Sequence, residues 1–332
     1  MGLLSYFLGI EVSNTPNNYI LTQRKYTKEM LTDYELDISK PAVTPFPLNL
    51  KLSPEGDNYP NAGLCRCYVG KLNFLPHTRP DLSFDVQSLS QFSHSPKLSH
   101  IVSLTHTLGY VNHTTCQDII LRATYPLTLK DLSHSDWAAC PSTRRSVTSY
   151  ILLLGTSPIS WKSKKQSTVS KSSSEAEYME MSQVVGEVSW IVRLLQELGI
   201  QGLKPFQINC DNQYDLRIAK NPILHERKKH IEVDCHFTRD KVLKGLLNLP
   251  TQHQLADIFS KILLSSHHTN LFSKHGMVNV LYIPSLKGGV GVTFLLPLLT
   301  LCSLMFYISY IEQGTSMHLF TGNNTLTNRP AF

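Results

Sequence analysis

The chain has 332 residues, of which 42% are hydrophobic and 17% are charged, and its 31 Lys and Arg against 25 Asp and Glu give a net charge of +6. This composition excludes a disordered protein, which would be less apolar, and a membrane protein with many spans, which would be more apolar. At roughly 100–200 residues per domain the length indicates two folded units and a surplus, and the modest basic excess would suit a nucleic-acid partner.

The cysteines and the N-terminus indicate an intracellular protein. The seven Cys residues are scattered without a Cys-x-x-Cys pair, which is typical of reduced thiols rather than of a disulfide framework or a zinc site. The first residues, MGLLSYFLGI, contain neither the basic start of a secretory signal nor a myristoylation motif. We therefore expect the protein in the cytoplasm, the nucleus or both.

The front part of the chain combines strands and helices. The patterns of residues 6–12 and 19–23 predict a hairpin, and apolar residues at helical spacing follow over 26–34. Prolines and a glycine predict a linker at 40–59, because they deny the backbone a donor or helical geometry. Residues 68–113 are mostly helical by pattern, with a break at the string Arg-Pro-Asp.

From about residue 124 the pattern becomes that of an α/β domain. Strand-like segments at 127–133, 147–154 and 159–162 predict an antiparallel meander. Ser172 and Glu175 form a capping box, after which apolar residues at helical spacing predict a long helix that ends at Gly199.

The same domain continues with shorter segments. We expect strands at 206–210 and 246–249, a helical stretch at 226–244 and a final helix from 253. Strands and helices in this order, with a mixed sheet, form an α/β arrangement.

The end of the chain is uncharged over residues 290–311. About 20 apolar residues span a bilayer, so this segment is a candidate transmembrane helix, and a membrane is a partner only if it inserts. Pro297 and the lack of flanking basic anchors weaken that interpretation.

Three acids occupy positions where metal ligands collect in α/β proteins. Glu177 lies in the apolar stripe of the long helix, Asp211 follows a buried strand, and Asp257 lies in the last helix. Taken singly, they could be an acid that favours the helix dipole, a helix cap and a surface acid. Carboxylates that converge without Cys or His would instead form an oxygen-rich site suited to Mg²⁺.

Eight sequence strings carry a family resemblance. They occur in order over about residues 5–280: YFLGIEV, QRKY, HTRPDLSF, SDWAACPSTRRSVTSY, ISWKSKKQSTVSKSSSEAEY, CDNQ, HERKKHIEVDCHF and QLADIFSK. With these strings the chain resembles the C-terminal part of a copia-type retrotransposon Pol polyprotein, where the end of the reverse transcriptase precedes a ribonuclease H domain.

The resemblance implies a division into three parts. Residues 1–123 would be an α+β thumb and connection remnant of the reverse transcriptase without a polymerase active site, because the Y-x-D-D string is absent. Residues 124–280 would be a ribonuclease H-like α/β domain, with a mixed five-stranded sheet and flanking helices. Residues 281–332 would be an apolar tail outside the family.

The resemblance also implies an activity, hydrolysis of the RNA strand of an RNA–DNA hybrid. Four carboxylates would hold two Mg²⁺ ions, with Mn²⁺ as an alternative, and Glu177, Asp211 and Asp257 match three of these carboxylates.

Further partners would be the Pol and Gag proteins of the retroelement. Basic residues would contact phosphates without reading sequence: Arg144, Arg145, Lys162, Lys164, Lys165, Lys171, Arg227, Lys228 and Lys229. Any one of these could instead be a solvated surface charge.

The fourth carboxylate position departs from the family. The family string is D-x-D-W-A, whereas this chain has HSDWA, so that His134 stands at the first Asp and Asp136 follows two residues later. Imidazole is a poor ligand for Mg²⁺. Asp136 would share a face with His134 but lie about 7 Å further along a strand. We therefore expect a strongly impaired nuclease.

Two alternatives stay open at this point. The chain could be a non-catalytic nucleic-acid-binding or interaction module, or an unstable product whose front part needs the rest of a polymerase to bury its apolar residues.

Trp161 and Trp190 are interpreted as core residues rather than as base-stacking ones.

Overall fold

The computed structural model describes residues 5–15, 18–32, 38, 40–48, 50–122, 127–203, 205–209, 238, 240–241, 247–248 and 277–279. Within these residues the chain is of mixed α/β class, with two five-stranded sheets and five α-helices. Asp211, Asp257, Arg227, Lys228 and Lys229 lie outside the described residues, as do the predicted helix from 253 and the apolar segment 290–311. No helix in the described ranges is long and apolar enough to cross a membrane.

The first sheet is antiparallel between all neighbouring strands. Its strand order is β1-β2-β3-β4-β10. The strands are β1 (Tyr6–Phe7), β2 (Ile10–Thr15), β3 (Asn18–Thr22), β4 (Gln117–Arg122) and β10 (Met277–Asn279). The last strand brings a segment from the far end of the predicted nuclease-like domain back to the front sheet.

A tight turn divides the first predicted strand. Leu8 and Gly9 both have positive φ, 47° and 78°, so the segment 6–12 folds back on itself as β1 and β2 instead of forming one strand. Positive φ at both central residues is the geometry of the two-residue hairpin that matches the twist of strands. A Cβ on Gly9 would also lie 2.9 Å from the ring of Phe74, so the position requires glycine on two grounds.

Four helices of the front half pack against one another. They are α1 (Arg24–Thr32), α2 (Ala62–Leu72), α3 (Ser83–Ser90) and α4 (Leu98–His113), and the Arg-Pro-Asp string lies in a 3₁₀ turn at Pro80–Leu82. The predicted linker carries no helix or strand where it is described, apart from one isolated bridge between Asn58 and Lys97. The helices bury Leu72, Leu82 and Leu104 completely.

The second sheet is mixed, as the sequence predicts. Its order is β7-β6-β5-β8-β9. Strands β5 (Leu129–Asp136), β6 (Val147–Leu154) and β7 (Ser157–Lys165) form the antiparallel meander, and β8 (Phe206–Asn209) and β9 (Leu247–Asn248) continue from β5 in parallel.

The long helix α5 (Ser173–Glu197) packs on the second sheet. Ser172 is its N-cap and accepts a hydrogen bond from the backbone N–H of Glu175 at 3.2 Å. The Glu175 carboxylate accepts from the backbone N–H of Lys171 at 2.8 Å, one residue earlier than in the usual capping box. The predicted stripe is confirmed, because Met181, Val184 and Val188 are buried.

The two sheets share one hydrophobic core. Ile10 and Ile119 of the first sheet belong to the same buried cluster as Ile151 of the second and Val184 of α5. Polar contacts also join the halves, since the Trp161 indole N–H donates to the carbonyl of Pro76 at 2.7 Å. Apolar residues of the front sheet are therefore buried against the second half of this chain.

Candidate active site and nucleic-acid interface

The end of β5 carries the two residues on which the nuclease prediction depends. His134 pairs with Ser149 of β6, and the Ser149 hydroxyl donates to the His134 carbonyl at 2.9 Å. Side chains alternate along a strand, so His134 and Asp136 share one face while Ser133 and Ser135 share the other. His134 and Asp136 are both half-buried.

Strand β8 runs beside β5 in parallel. The described pairing ends at Leu132 and Asn209, two residues before His134 and Asp211 on their segments. Parallel neighbours bring their C-terminal ends to the same edge of a sheet, which is where α/β sites form. Of the predicted site residues, His134 and Asp136 lie at this end of β5.

Glu177 lies near the start of α5 and has one buried oxygen. Its Oε2 atom is buried and has no hydrogen-bond partner among the described residues. An unsatisfied buried polar atom costs about 1–3 kcal/mol, and more when the group is charged. A carboxylate oxygen in this situation is suited to a cation.

A buried amide ties the first turns of α5 to the sheet. The Gln166 side-chain nitrogen donates to Thr148 Oγ1 and to the carbonyl of Ala176, both at 2.9 Å, and lies 3.5 Å from Ser135 Oγ. Its oxygen accepts from the Ser170 hydroxyl at 2.9 Å. Because Ala176 precedes Glu177, this network fixes the first turns of α5 over the Ser135 side of β5.

One acid of β5 was missed by the sequence analysis. Asp131 is fully buried between Leu152 of β6 and Ile208 of β8. Burial raises its pKa to about 8, against the hydrogen bonds from the Ser133 hydroxyl and the Leu132 backbone that lower it. Asp131 follows Lys130, and two adjacent charged residues usually indicate a surface position. The one sequence signal that Asp131 points inward is that it lies two residues after Leu129, on the same face of the strand.

The described basic residues that were predicted to contact nucleic acid lie in one segment without acids. Residues 137–174, all described, contain two arginines and four lysines and no Asp or Glu. Arg144, Lys164 and Lys171 are exposed, and Arg145 and Lys162 are half-buried. Lys165 is engaged elsewhere, since its ammonium donates to Gln91 Oε1 of the front half and lies 3.4 Å from Cys140 Sγ.

The loop after β5 holds Cys140 and Trp137. Burial raises the pKa of the Cys140 thiol, whereas hydrogen bonds from Ser142 and Thr143 and the nearby Lys165 ammonium lower it. The lowering effects are larger, so the pKa of Cys140 is about 6. The backbone N–H of Arg144 donates to the Cys140 carbonyl at 2.8 Å, which closes the loop and brings Arg144 back toward β5.

Trp137 is a candidate functional residue that the sequence analysis missed. Its side chain is 47% exposed, and its indole N–H donates to the carbonyl of Ser170 at 3.1 Å. Trp161 packs against the core as predicted, whereas the prediction for Trp190 is wrong, because that residue is 36% exposed on α5. The one available signal was the position of Trp137 at the start of a polar, basic loop.

Three residues of the predicted metal site are described: His134 and Asp136 at the end of β5, and Glu177 near the start of α5. The structure does not bring them together, since no group of three or more His, Cys, Asp or Glu residues that could hold a metal ion occurs within the described ranges. The convergence of Asp211 and Asp257 with Glu177 stays a prediction.

The chain is similar to curated proteins of plant retrotransposons. It is 40% identical over 291 residues to the retrovirus-related Pol polyprotein from transposon RE2 of Arabidopsis thaliana, covering 86% of this chain and 20% of that polyprotein. It is 30% identical over 276 residues to the Pol polyprotein from transposon TNT 1-94 of Nicotiana tabacum, covering 79% and 21% respectively. The chain belongs to the copia-type family of retrovirus-related Pol polyproteins.

Family membership confirms the resemblance that the sequence strings carry. The chain spans about one fifth of the length of the copia-type Pol polyproteins it matches. An uncharacterized mitochondrial protein of Arabidopsis thaliana is also similar, at 37% identity over 190 residues that make up 57% of this chain and 79% of that protein. No protein-family model and no solved structure matches the chain. The function of this copia-type Pol segment must therefore be inferred from its strand order and side-chain geometry.

Proposed function

We propose that residues 124–280 form a ribonuclease H-like domain that binds RNA–DNA hybrids, and that His134 strongly impairs its hydrolytic activity. The observation that carries the proposal is the mixed second sheet, in which β5 lies between the antiparallel β6 and the parallel β8 and has His134 and Asp136 at its C-terminal end. A mixed five-stranded sheet is also part of what the family resemblance implies, and this agreement supports the proposal. The buried, unpartnered oxygen of Glu177 lies on the helix that packs on it.

The donor set at this site fits a divalent cation only in part. Glu177 fits, because it offers a buried carboxylate oxygen that has no hydrogen-bond partner among the described residues. His134 does not fit, because imidazole is a poor ligand for Mg²⁺ and cannot bridge two ions. Magnesium or manganese bound by carboxylates would activate water and stabilise the leaving oxygen. With His134 in place, we propose that the site lacks the first of those carboxylates and that hydrolysis is slow.

The acid-free segment 137–174 supports a polyanionic substrate. Its exposed Arg144, Lys164 and Lys171 are suited to phosphates, and such contacts supply affinity without sequence preference. A second candidate function follows from the same observations, namely hybrid binding without catalysis, and His134 is the residue that favours it. Pol and Gag proteins of the retroelement are proposed as partners on the family resemblance alone. A location in the cytoplasm or nucleus is proposed from the scattered cysteines and the N-terminal sequence.

A cleavage assay on the full-length chain tests the proposal. The full chain is required because β10 of the predicted nuclease-like domain completes the front sheet and the two sheets share a core. With Mg²⁺ and an RNA–DNA hybrid labelled on the RNA strand, we expect slow cleavage by the wild type. His134→Asp should raise the rate at least about tenfold, which corresponds to about 1.4 kcal/mol of transition-state stabilisation.

Two control variants make the result specific. His134→Asn, which changes size in the same way without adding a carboxylate, should not raise the rate, and Glu177→Gln should abolish the gain of His134→Asp. Equal rates for the wild type and His134→Asp would contradict the proposed impairment. Tight hybrid binding without cleavage by either protein would favour the non-catalytic candidate.

A further inference from the structure

A buried histidine stabilises the N-terminus of α4. His100 is 1% exposed, and its ring packs against Phe92 with 4.2 Å between the ring centroids. Its Nδ1 atom accepts a hydrogen bond from the backbone N–H of Lys97, the N-cap residue, at 2.9 Å. In the usual capping box a Glu or Gln side chain accepts this bond. The acceptor in α4 is instead a side chain that gains a proton near neutral pH.

The two ring nitrogens of His100 have different roles. The backbone N–H of Lys97 can only donate, so Nδ1 carries no hydrogen. Nε2 lies 2.9 Å from the carbonyl oxygen of Ser53, which can only accept, so Nε2 carries the hydrogen and donates it. The imidazole is therefore neutral in this arrangement, and it bridges α4 and the linker that precedes α2.

The 53–59 segment, which is the last part of that linker, lies against the start of α4. The Leu98 N–H donates to the carbonyl of Asp57 at 3.0 Å, and the Tyr59 N–H donates to the carbonyl of Pro96 at 2.9 Å. The imidazole bridge is at the opposite end of the segment. Both ends of the segment are therefore attached at the start of α4.

We propose that His100 is a pH-sensitive latch, in which the neutral imidazole holds the 53–59 segment to α4 and the protonated imidazole releases it. A proton on Nδ1 turns the acceptor of the capping bond into a donor, so that two N–H groups face each other. A buried donor without an acceptor destabilises the folded arrangement, because it has also lost its hydrogen bonds to water. Release of the segment lets water reach both groups.

Burial and one neighbouring charge oppose protonation of His100. Burial lowers the pKa of His100 below its usual value of 6.5, the hydrogen bond to the Ser53 carbonyl raises it, and the charge of Lys97 lowers it. The other charged or titratable groups on the elements packed around the ring are exposed: Lys51, Glu55, Asp57 and His94. Because the folded-state pKa is lowered, the latch stabilises fully above pH 6.5 and is lost as the pH falls through the folded-state pKa.

The release should be confined to the end of the linker. Its earlier part is held to α4 by the Thr107 hydroxyl, which donates to the carbonyl of Pro45 at 2.9 Å and does not titrate. It is also held by His106, whose Nε2 lies 2.9 Å from the carbonyl of Thr44. An imidazole can donate through Nε2 whether it is neutral or protonated. These two contacts therefore persist when the contact of His100 is lost.

Hydrogen exchange on the full-length chain tests the latch. Exchange is followed by mass spectrometry from about pH 7.5 to about pH 5, the range in which histidines titrate, and is corrected for the intrinsic exchange rate at each pH. In the wild type, protection of the 53–59 amides should fall about tenfold over this range, because the buried donor loses its acceptor. His100→Gln keeps a side-chain acceptor at the capping position and does not titrate, so its protection should stay constant.

His106→Gln provides a matched control on the same helix. Since the bond of His106 does not depend on its protonation state, this variant should lose protection of the 53–59 segment as the wild type does. The amides of β6 should keep their protection in all three proteins. Equal losses in the wild type and His100→Gln, no loss in either, or a loss in β6 as large as in the 53–59 segment would each overturn the inference.

A measurement on the wild type keeps the inference testable if His100→Gln does not fold. With isotope-labelled histidine, nuclear magnetic resonance at about pH 7.5 should show that His100 carries its hydrogen on Nε2 and none on Nδ1. A hydrogen on Nδ1 at that pH would overturn the inference, because the ring could not then accept from Lys97.

Discussion

The two halves of the molecule each contain a buried polar network, and the networks differ in charge. In the front half, buried Arg79 makes two hydrogen bonds to Asp81, at 2.9 and 2.7 Å, and its guanidinium also donates to the carbonyl and hydroxyl of Thr114. In the second half, the network around Gln166 joins only neutral groups of the strands and α5.

The network around Arg79 shows the structural role of the family string HTRPDLSF. The Tyr110 hydroxyl of α4 donates to Asp81 at 2.9 Å, and the Thr78 hydroxyl donates to Gln23 Oε1 at 2.7 Å, so the string joins the front helices to the end of β3. Burial, and next the Asp81 carboxylate, raise the pKa of nearby Asp85 well above its usual value. The front half therefore contains a buried network of charged groups, whereas Arg144, Lys164 and Lys171 of the second half are exposed.

Loss of one partner of the buried ion pair should have the largest effect on stability. Asp81→Asn leaves the Arg79 charge buried without its carboxylate, which typically costs about 3–5 kcal/mol of unfolding free energy. The free energy of unfolding is measured by urea titration, with tryptophan fluorescence as the signal. All three tryptophans lie in the second half, so a shift of their transition also shows that the shared core unfolds with the front half.

An exposed pair serves as the control for that variant. Lys25 and Glu29 are 4.0 Å apart on the surface of α1, and Glu29→Ala should cost less than about 0.5 kcal/mol. The double variant Arg79→Met with Asp81→Asn should cost less than the sum of its parts, because no charge is then left buried. An Asp81→Asn protein as stable as Glu29→Ala would contradict the comparison of the two networks.

Asp131, a fully buried acid of the second half, should make stability depend on pH. The pKa of Asp131 is about 8 in the folded chain against 3.8 as the ordinary value, so the folded state holds a proton that the unfolded state releases. Its contribution is complete below pH 3.8 and is lost as the pH rises towards 8. The unfolding free energy of the wild type relative to Asp131→Asn should therefore fall by about 1.4 kcal/mol per pH unit in that window.

Replacement of an exposed acid distinguishes this effect from overall charge. Asp57→Asn removes one carboxylate from the surface and should run parallel to the wild type over the same pH range. A constant difference between the wild type and Asp131→Asn at every pH would show that Asp131 is not protonated in the folded state.

The long periodic elements of this fold were predictable from the sequence, and the short ones were not. Strand β6 and helix α5 follow their predicted bounds closely, because each has a repeating apolar pattern over many residues. Strand β4 was not predicted, although its Ile119, Ile120 and Leu121 are buried, since a short apolar run next to a helix has no period of its own. The turn at Leu8 needed a backbone conformation that non-glycine residues rarely adopt.

The positions of candidate site residues were predictable where a motif consists of a few consecutive residues. HSDWA and SSSEAEY placed His134, Asp136 and Glu177 on a strand end and a helix start, and the structure confirms those elements. The importance of Trp137 and Gln166 depends on contacts to Ser170 and Ala176, which are separated from them in sequence by a whole hairpin or a loop. Composition and spacing hold no information on such contacts.

Loss of the neutral network should have the smallest effect. Gln166→Met keeps the length of the side chain but leaves Thr148 Oγ1 and the Ala176 carbonyl without their donor, which costs on the order of 1–3 kcal/mol of unfolding free energy. Gln201→Met, at an exposed position, should change the unfolding free energy by less than about 0.5 kcal/mol. The same urea experiment compares them with Asp81→Asn. If Gln166→Met proves as damaging as Asp81→Asn, charge is not what distinguishes the networks; if it matches Gln201→Met, the amide does not hold α5 on the sheet, and another contact must position Glu177.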